Sequence, residues 1–276
     1  MPDRLTILKP GMQSTLESGG FRVYEDYVST MKGDVVSRSG TTETRRLVLN
    51  ETVPACSLFL KIYRYQGRNR RSFLRRDKCR LEARNYQILR GHCRVNVPDV
   101  IAHGCRRARC RLVDAFILTR GVPNAVPMSE YFTRRWQAPG PVPDDPLRKY
   151  LLTETASMLA RMHSAGFFHI DLQWRNLLVS DDGSSRPSIF VIDSARGELR
   201  KWPVHQAHGR LRDLSSLFKE ARFHLTRCEL FRWFRQYLGV PKLSDEHKAM
   251  IRTIQQDRLL KDEGNGKATK RPDIET

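Results

Sequence analysis

A chain of 276 residues with 49 Lys and Arg against 30 Asp and Glu carries a formal charge of +19, so its natural neighbours are anionic: phosphates, nucleic acid or an acidic membrane face. The length excludes a peptide-sized module and suits one large domain or two lobes around a cleft, while 12 Phe, 8 Tyr and 4 Trp argue against wholesale disorder. No run of eighteen uncharged apolar residues and no signal-like apolar start occur, which predicts a cytosolic chain, and the six cysteines, without CxxC or zinc spacing, read as reduced thiols.

In chain order, residues 1–20 read as an N-terminal extension. The next third reads as strands over residues 21–28, 46–50 and 57–63, where Leu58, Leu60 and Ile62 alternate with Phe59, Lys61 and Tyr63. Lys32-Gly33-Asp34 and the polar run 37–44 read as a turn or flexible loop. Residues 77–91 read as a helix closed by Gly91, residues 97–103 and 112–119 as strands, and Gly121-Val122-Pro123-Asn124 as a connector. Four prolines make 137–146 a loop. Three helical faces follow: one from Leu152 through His163, one from Leu211 through Leu225, one from Leu230 through Leu238. The polar tail from Asp257 is expected to fray. Strands early and helices late give an α+β chain with an N-lobe over 21–119, a C-lobe over 120–256 and a flexible tail over 257–276.

Chemistry concentrates in His169-Ile170-Asp171-Leu172-Gln173-Trp174-Arg175-Asn176, followed by an apolar strand, a turn at Asp181-Asp182-Gly183 and a second apolar strand reaching Asp193. Phosphoryl transfer from ATP needs a carboxylate to orient the attacking hydroxyl, with an amide oxygen and another carboxylate for Mg²⁺, and Asp171, Asn176 and Asp193 supply that set. His169 reads as a packed brace for the loop.

In these residues the chain resembles the protein-kinase-like superfamily, whose catalytic loop runs H-x-D-x-x-x-x-N and whose metal Asp ends a later strand. The resemblance implies a two-lobed fold with a strand-rich N-terminal lobe. It also implies that Lys61 pairs with the ATP phosphates and that Glu82 on the following helix is its ion-pair partner. Each of these, taken alone, reads as a solvated surface charge; their order along the chain is what carries the assignment. The glycine-rich loop matches least, with Gly33 and Gly40 flanking the segment whose amides would cover phosphates.

Ile170 in place of the usual loop arginine, Asp193-Ser194-Ala195 in place of D-F-G, and no A-P-E argue against an extended peptide acceptor and favour a small or carbohydrate hydroxyl. Leu58 to Arg64, Glu82-Ala83-Arg84-Asn85, Val97-Pro98-Asp99-Val100, Met162 to Gly166 and Asp193 to Gly197 resemble the bacterial lipopolysaccharide kinases that phosphorylate Kdo or heptose of the inner core. That resemblance implies a lipopolysaccharide core substrate, an anionic glycolipid, met at the inner face of the inner membrane. Eight basic residues against the single acid Asp77 between Arg64 and Arg80 fit peripheral contact with an anionic leaflet, or form a solvated basic segment. Arg106, Arg107, Arg109 and Arg111 form a smaller cluster. Three rivals stand beside this reading: a kinase of the same fold acting on another small molecule, a protein kinase, disfavoured by the missing peptide-docking signals, and a non-catalytic basic nucleic-acid-binding protein, for which no helix-turn-helix, zinc-finger or aromatic RNA-binding signature is present.

Overall fold

The computed structural model describes residues 4–49, 56–65, 77–108, 111–136, 145–184 and 186–264. They fall into two compact units, one taking in residues up to 88, 97–123 and 193–196, the other 89–96, 124–192 and 197 onward.

The first unit is built on a six-stranded sheet of β1 (Arg4–Ile7), β2 (Asp34–Ser39), β3 (Thr42–Leu49), β4 (Cys56–Arg64), β5 (Val100–Ala108) and β6 (Arg111–Arg120), ordered β1-β5-β6-β4-β3-β2. Every pairing in it is antiparallel. The alternation of β4 gives the sheet two unlike faces. Leu58, Leu60 and Ile62 are fully buried on one, against helices α1 (Gln13–Ser18) and α2 (Tyr24–Ser29), where the Tyr27 ring stacks on Phe116 at 4.3 Å. Lys61 and Tyr63 point to the other face, which helix α3 (Lys78–Gly91) covers.

Several expectations change here. The strand expected over 21–28 is helical from Tyr24, because Phe21, Tyr24, Tyr27 and Val28 are buried at spacings of three and four rather than two. Asp26 Oδ2 closes that helix start by accepting the Arg22 and Val23 amides at 2.7 and 2.8 Å. The polar run 37–44, expected as loop, forms the β2–β3 hairpin around Gly40-Thr41. Since β2 is a wholly exposed sheet edge, no buried face imposes the alternation by which a strand is recognised. The strand expected over 97–103 starts at Val100 instead, after Pro98, which has no amide to donate, and it runs on through Arg106 and Arg107. Residues from Arg4 onward, read as an extension, are part of the unit: β1 pairs with β5 from Arg4 opposite Cys105 to Ile7 opposite Ala102, and Leu16 is fully buried.

The second unit comprises β7 (Ala125–Pro127), α4 (Met128–Arg135), α5 (Pro146–Ser164), β8 (Phe167–Phe168), β9 (Leu177–Ser180), β10 (Ser188–Val191), β11 (Glu198–Leu199), α6 (Pro203–His224), α7 (Arg227–Leu238) and α8 (Asp245–Gly264). The three expected helical faces are those of α5, α6 and α7. Their ends follow from capping chemistry. Asp145 accepts the Leu147 and Arg148 amides at 2.8 and 3.3 Å with Pro146 in the first helical position, while Thr226 and Glu229 cap α7 reciprocally and Gly239 ends it at φ +66°. Of the proline-rich loop, residues 137–144 lie outside the described residues. Helix α8 carries regular backbone past Asp257 to Gly264, where fraying was expected, and 265–276 lie outside the described residues.

Arg148 ties α5 to α7. It is buried, its Nε donates to Glu229 Oε1 at 2.6 Å, its Nη2 to Glu229 Oε2 at 3.1 Å, and Nη2 also meets the His224 carbonyl. Burial alone would raise the Glu229 carboxyl, but the Arg148 hydrogen bonds and the Thr226 amide outweigh it and hold it below its ordinary 4.5. A depressed folded value means that this stabilisation is present above about pH 4.5 and is lost as pH falls through the lower folded value. Urea unfolding at pH 6 and pH 3 should therefore show a larger acid loss for the natural chain than for Glu229→Gln; equal losses would remove Glu229 from the acid response. Arg148→Ala, which leaves the half-buried Glu229 carboxylate with only its Thr226 donors, should cost about 1.5–3 kcal/mol.

Candidate active site

In the first unit, β4 and α3 bring Lys61 to Glu82 and Asp193. Lys61 Nζ donates to Glu82 Oε2 at 3.4 Å and to Asp193 Oδ1 at 2.6 Å. Burial works against the ammonium, yet the charges of Glu82 and Asp193 outweigh it and leave Lys61 above its ordinary value, so the amine is a fixed cation. Glu82 is 3% exposed, which would make an unpaired carboxylate costly, and three donors share it: Lys61, Tyr63 OH at 3.2 Å and Tyr86 OH at 3.2 Å. Tyr86 OH in turn accepts the Asp193 amide at 3.1 Å, and Asn85 Nδ2 donates to the Ser194 carbonyl at 2.7 Å. One helix thus holds both the ion-pair partner of Lys61 and the backbone of Asp193. Burial, followed by the Glu82 charge, pushes the Tyr86 hydroxyl well up, so it stays a protonated donor.

In the second unit, the segment after β8 carries Asp171 and Asn176. Gln173 Nε2 donates to Asp171 Oδ1 at 2.7 Å, and Asn176 Nδ2 donates to the Asp171 carbonyl at 2.8 Å. With its Nδ2 so engaged, Asn176 presents Oδ1, the atom that can hold a cation. Below this loop lies Asp213 of α6, fully buried, whose carboxylate accepts the His169 and Ile170 amides at 2.8 and 2.7 Å. Its Oδ2 also accepts from His163 Nε2 at 3.2 Å, and the other His163 nitrogen is hydrogen-bonded to the Tyr237 hydroxyl at 2.8 Å. A carboxylate cannot donate, so Nε2 carries the proton of that hydrogen bond. His169 itself, fully buried, reaches the Ile192 carbonyl through Nε2 at 2.9 Å, a bracing contact. Asp213, Gln173, Tyr63 and Tyr86 carry no motif spacing; an acid on the apolar face of α6 is the signal that could have marked Asp213.

Ile170 and Asp193 both hold left-handed backbone, at φ +69° and +58°. For a β-branched residue that conformation is costly, and such strain collects where surroundings over-determine a functional segment. Asp213 supplies that constraint at Ile170, and Lys61 with Tyr86 at Asp193.

The β2–β3 register places Gly33 differently from the phosphate-covering role. Thr44 is opposite Lys61, whereas Asp34, next to Gly33, is opposite Arg46, itself opposite Phe59. Gly33 has φ +76°, and a Cβ there would stand 2.2 Å from the Arg46 carbonyl oxygen, so close backbone packing accounts for the glycine. The segment 34–39, expected to present amides, is strand β2 paired to β3. Of the basic run, residues 66–76 lie outside the described residues. In the smaller cluster, Arg106 is engaged by Asp114 and by Glu25 at 3.7 Å.

Among the described residues no group of three or more His, Cys, Asp or Glu side chains could hold a metal. A mixed set of one carboxylate and one amide oxygen, completed by water and substrate phosphates, is nevertheless what Mg²⁺ accepts, and Asp193 and Asn176 fit it by donor chemistry. No described helix is long and apolar enough to cross a membrane.

Three comparisons bear on this arrangement. Residues 30–237 match the model of the lipopolysaccharide kinase (Kdo/WaaP) family. Among solved structures, WaaP in complex with acyl carrier protein is 25% identical over 93% of this chain and 98% of that one, with a TM-score of 0.67. The PknI kinase domain of Mycobacterium tuberculosis is 16% identical over 77% and 74%, with a TM-score of 0.37. No curated protein sequence matches. The strand-rich first unit and helical second unit are those of the α+β kinase-like fold expected from the catalytic-loop motif. Because the matched span takes in the Lys61 strand, the α3 helix, the Asp171 loop and Asp193, and well over half of the chain, this protein belongs to the lipopolysaccharide kinase (Kdo/WaaP) family.

Proposed function

We propose that this kinase transfers the terminal phosphoryl group of ATP to a hydroxyl of an inner-core sugar of lipopolysaccharide, Kdo or heptose. The observation that carries the reading is the Lys61 amine, held by buried Glu82 and by Asp193 as a permanent cation. Lys61 would bind the ATP phosphates, with Glu82 fixing its position. Asp171 would orient the sugar hydroxyl and take its proton as the oxygen attacks phosphorus, while Gln173 keeps the carboxylate in place. Asp193 and Asn176 would hold Mg²⁺, which when bound offsets the charge of the phosphate oxygens. Asp213 would keep the Asp171 loop in its strained form, so that orientation is set before substrate arrives.

The acceptor is an anionic glycolipid, and the +19 charge favours peripheral contact with the anionic inner face of the inner membrane. Family membership favours phosphoryl transfer over the nucleic-acid-binding rival. The test is to incubate the full chain with ATP, Mg²⁺ and core lipids ending in Kdo or in heptose, and to follow added phosphate by mass spectrometry. The natural chain should phosphorylate one of them, and Lys61→Met should slow this on the order of a hundredfold. Transfer to an aminoglycoside or a choline-like alcohol, with none to the core lipids, would move the assignment to the small-molecule rival.

A further inference from the structure

Helix α3 has a second functional face. Arg80, Arg84 and Gln87 repeat at spacings of four and three, so they form one stripe of the helix, and Glu82 lies two residues from each arginine, about 200° round the axis. The outer stripe, with Thr6 of β1 and His103, Gly104, Cys105 and Arg107 of β5, lines a groove of about 580 Å³ within the first unit. Three arginines face it against one acid, Asp77, whose Oδ1 is already spent on the Cys79 and Arg80 amides at 2.9 and 3.2 Å. Neither Arg80 nor Arg84 has an ion pair or a side-chain hydrogen bond among the described residues. Burial, with Arg80 adding to it against Asp77, keeps the His103 imidazole below its ordinary value, so it stands there neutral.

The larger groove between α5 and α7, about 1050 Å³, has a similar excess of cations with two acids among them, and serves as the comparison. Its Arg232 and Arg235 share it with Asp145 and Glu229, and Arg148 is consumed by Glu229. In the α3–β5 groove cations outnumber acids, and neither Arg80 nor Arg84 is matched there by an acid among the described residues. Guanidinium forks suit the oxygens of phosphate, and a concave wall strengthens their field.

We propose that the groove between α3 and β5 is a binding site for a phosphate-bearing ligand, held by Arg80, Arg84 and Arg107. It is separate from the Lys61 set and stands whether or not the proposed reaction is correct. A ligand seated there ties the outer stripe of α3 to β5, on the side of the helix away from Glu82.

The source of the phosphate is either a soluble metabolite or a lipid headgroup, and two arms separate them. In the first, inorganic pyrophosphate is titrated by calorimetry into the full chain carrying Lys61→Met, so that the proposed ATP site does not compete. In the second, the same chain is sedimented with phosphatidylcholine vesicles containing either phosphatidic acid or phosphatidylglycerol. Arg80→Gln with Arg84→Gln should weaken binding at least tenfold in one arm, while Arg232→Gln with Arg235→Gln, removing equal charge from α7, should not. Gln87→Arg, which extends the stripe, should strengthen it, a gain that a misfolded variant would not give. Loss confined to pyrophosphate marks a soluble ligand, and loss confined to phosphatidic acid vesicles marks a lipid-borne one. Equal loss in both double variants, or none in either, overturns the site.

Discussion

Replacing Asp171 by Ala should lower turnover by about a hundredfold to ten-thousandfold, the range for removing a positioned general base. The reason to expect an effect on rate and little on folding lies in how the side chain is held. Among the described residues its side chain makes one hydrogen bond, at 2.7 Å from Gln173, and Asp171 is only partly buried. The contacts that shape the loop use backbone instead: Asn176 Nδ2 to the Asp171 carbonyl, the Gln173 amide to that same carbonyl at 3.1 Å, and the Asp213 carboxylate to the two preceding amides. Truncation at Cβ leaves all of these. Single-turnover transfer should fall while ATP affinity and thermal stability stay near those of the natural chain. Normal turnover by Asp171→Ala would end the assignment of the base.

Asp213→Ala should act in the opposite order, on stability first. Two buried backbone amides and a buried imidazole lose their acceptor, and at roughly 1–3 kcal/mol per orphaned donor the two amides alone cost about 2–6 kcal/mol. The left-handed Ile170 backbone then has nothing to oppose its relaxation, so the fraction that remains folded should also transfer phosphate more slowly. Asp213→Asn, which keeps one acceptor oxygen but sets an NH₂ against the other amide, should fall between the two. Urea unfolding, with transfer measured on the folded fraction, checks both parts. A stability loss of the expected size with an unchanged transfer rate would leave Asp213 a packing residue with no part in holding the loop.

The elements that could be read beforehand are those whose signal is local. β4 alternates, α5 and α7 announce their starts with Asp145-Pro146 and Thr226 to Glu229, and Gly239 ends α7. What misled were segments whose burial is decided elsewhere. Residues 21–28 were expected as a strand, but the sheet face they cover wants Tyr24, Tyr27 and Val28 on one side of a helix. The β2 edge is polar throughout, so it carried no periodic signal, and its partner β3 decided it. Gly33 drew notice for its residue type, yet the register sets it by Arg46 and the Gly40-Thr41 turn on the far side of Lys61.

By itself the amino-acid order determined the chemical inventory: a strand lysine, a helix glutamate, an acid and an amide five residues apart, and a closing Asp193. The resemblance from which their roles are proposed rests on order and spacing along one chain, which a sequence carries in full. Only the tertiary structure decided what holds them. Asp213 reaches the Asp171 loop from 44 and 43 residues away, and Tyr86 bridges Glu82 to the Asp193 amide across 107. Such bonds go from a side chain to distant backbone amides, which are the same at every position, so no residue pattern marks the partner until the chain has folded.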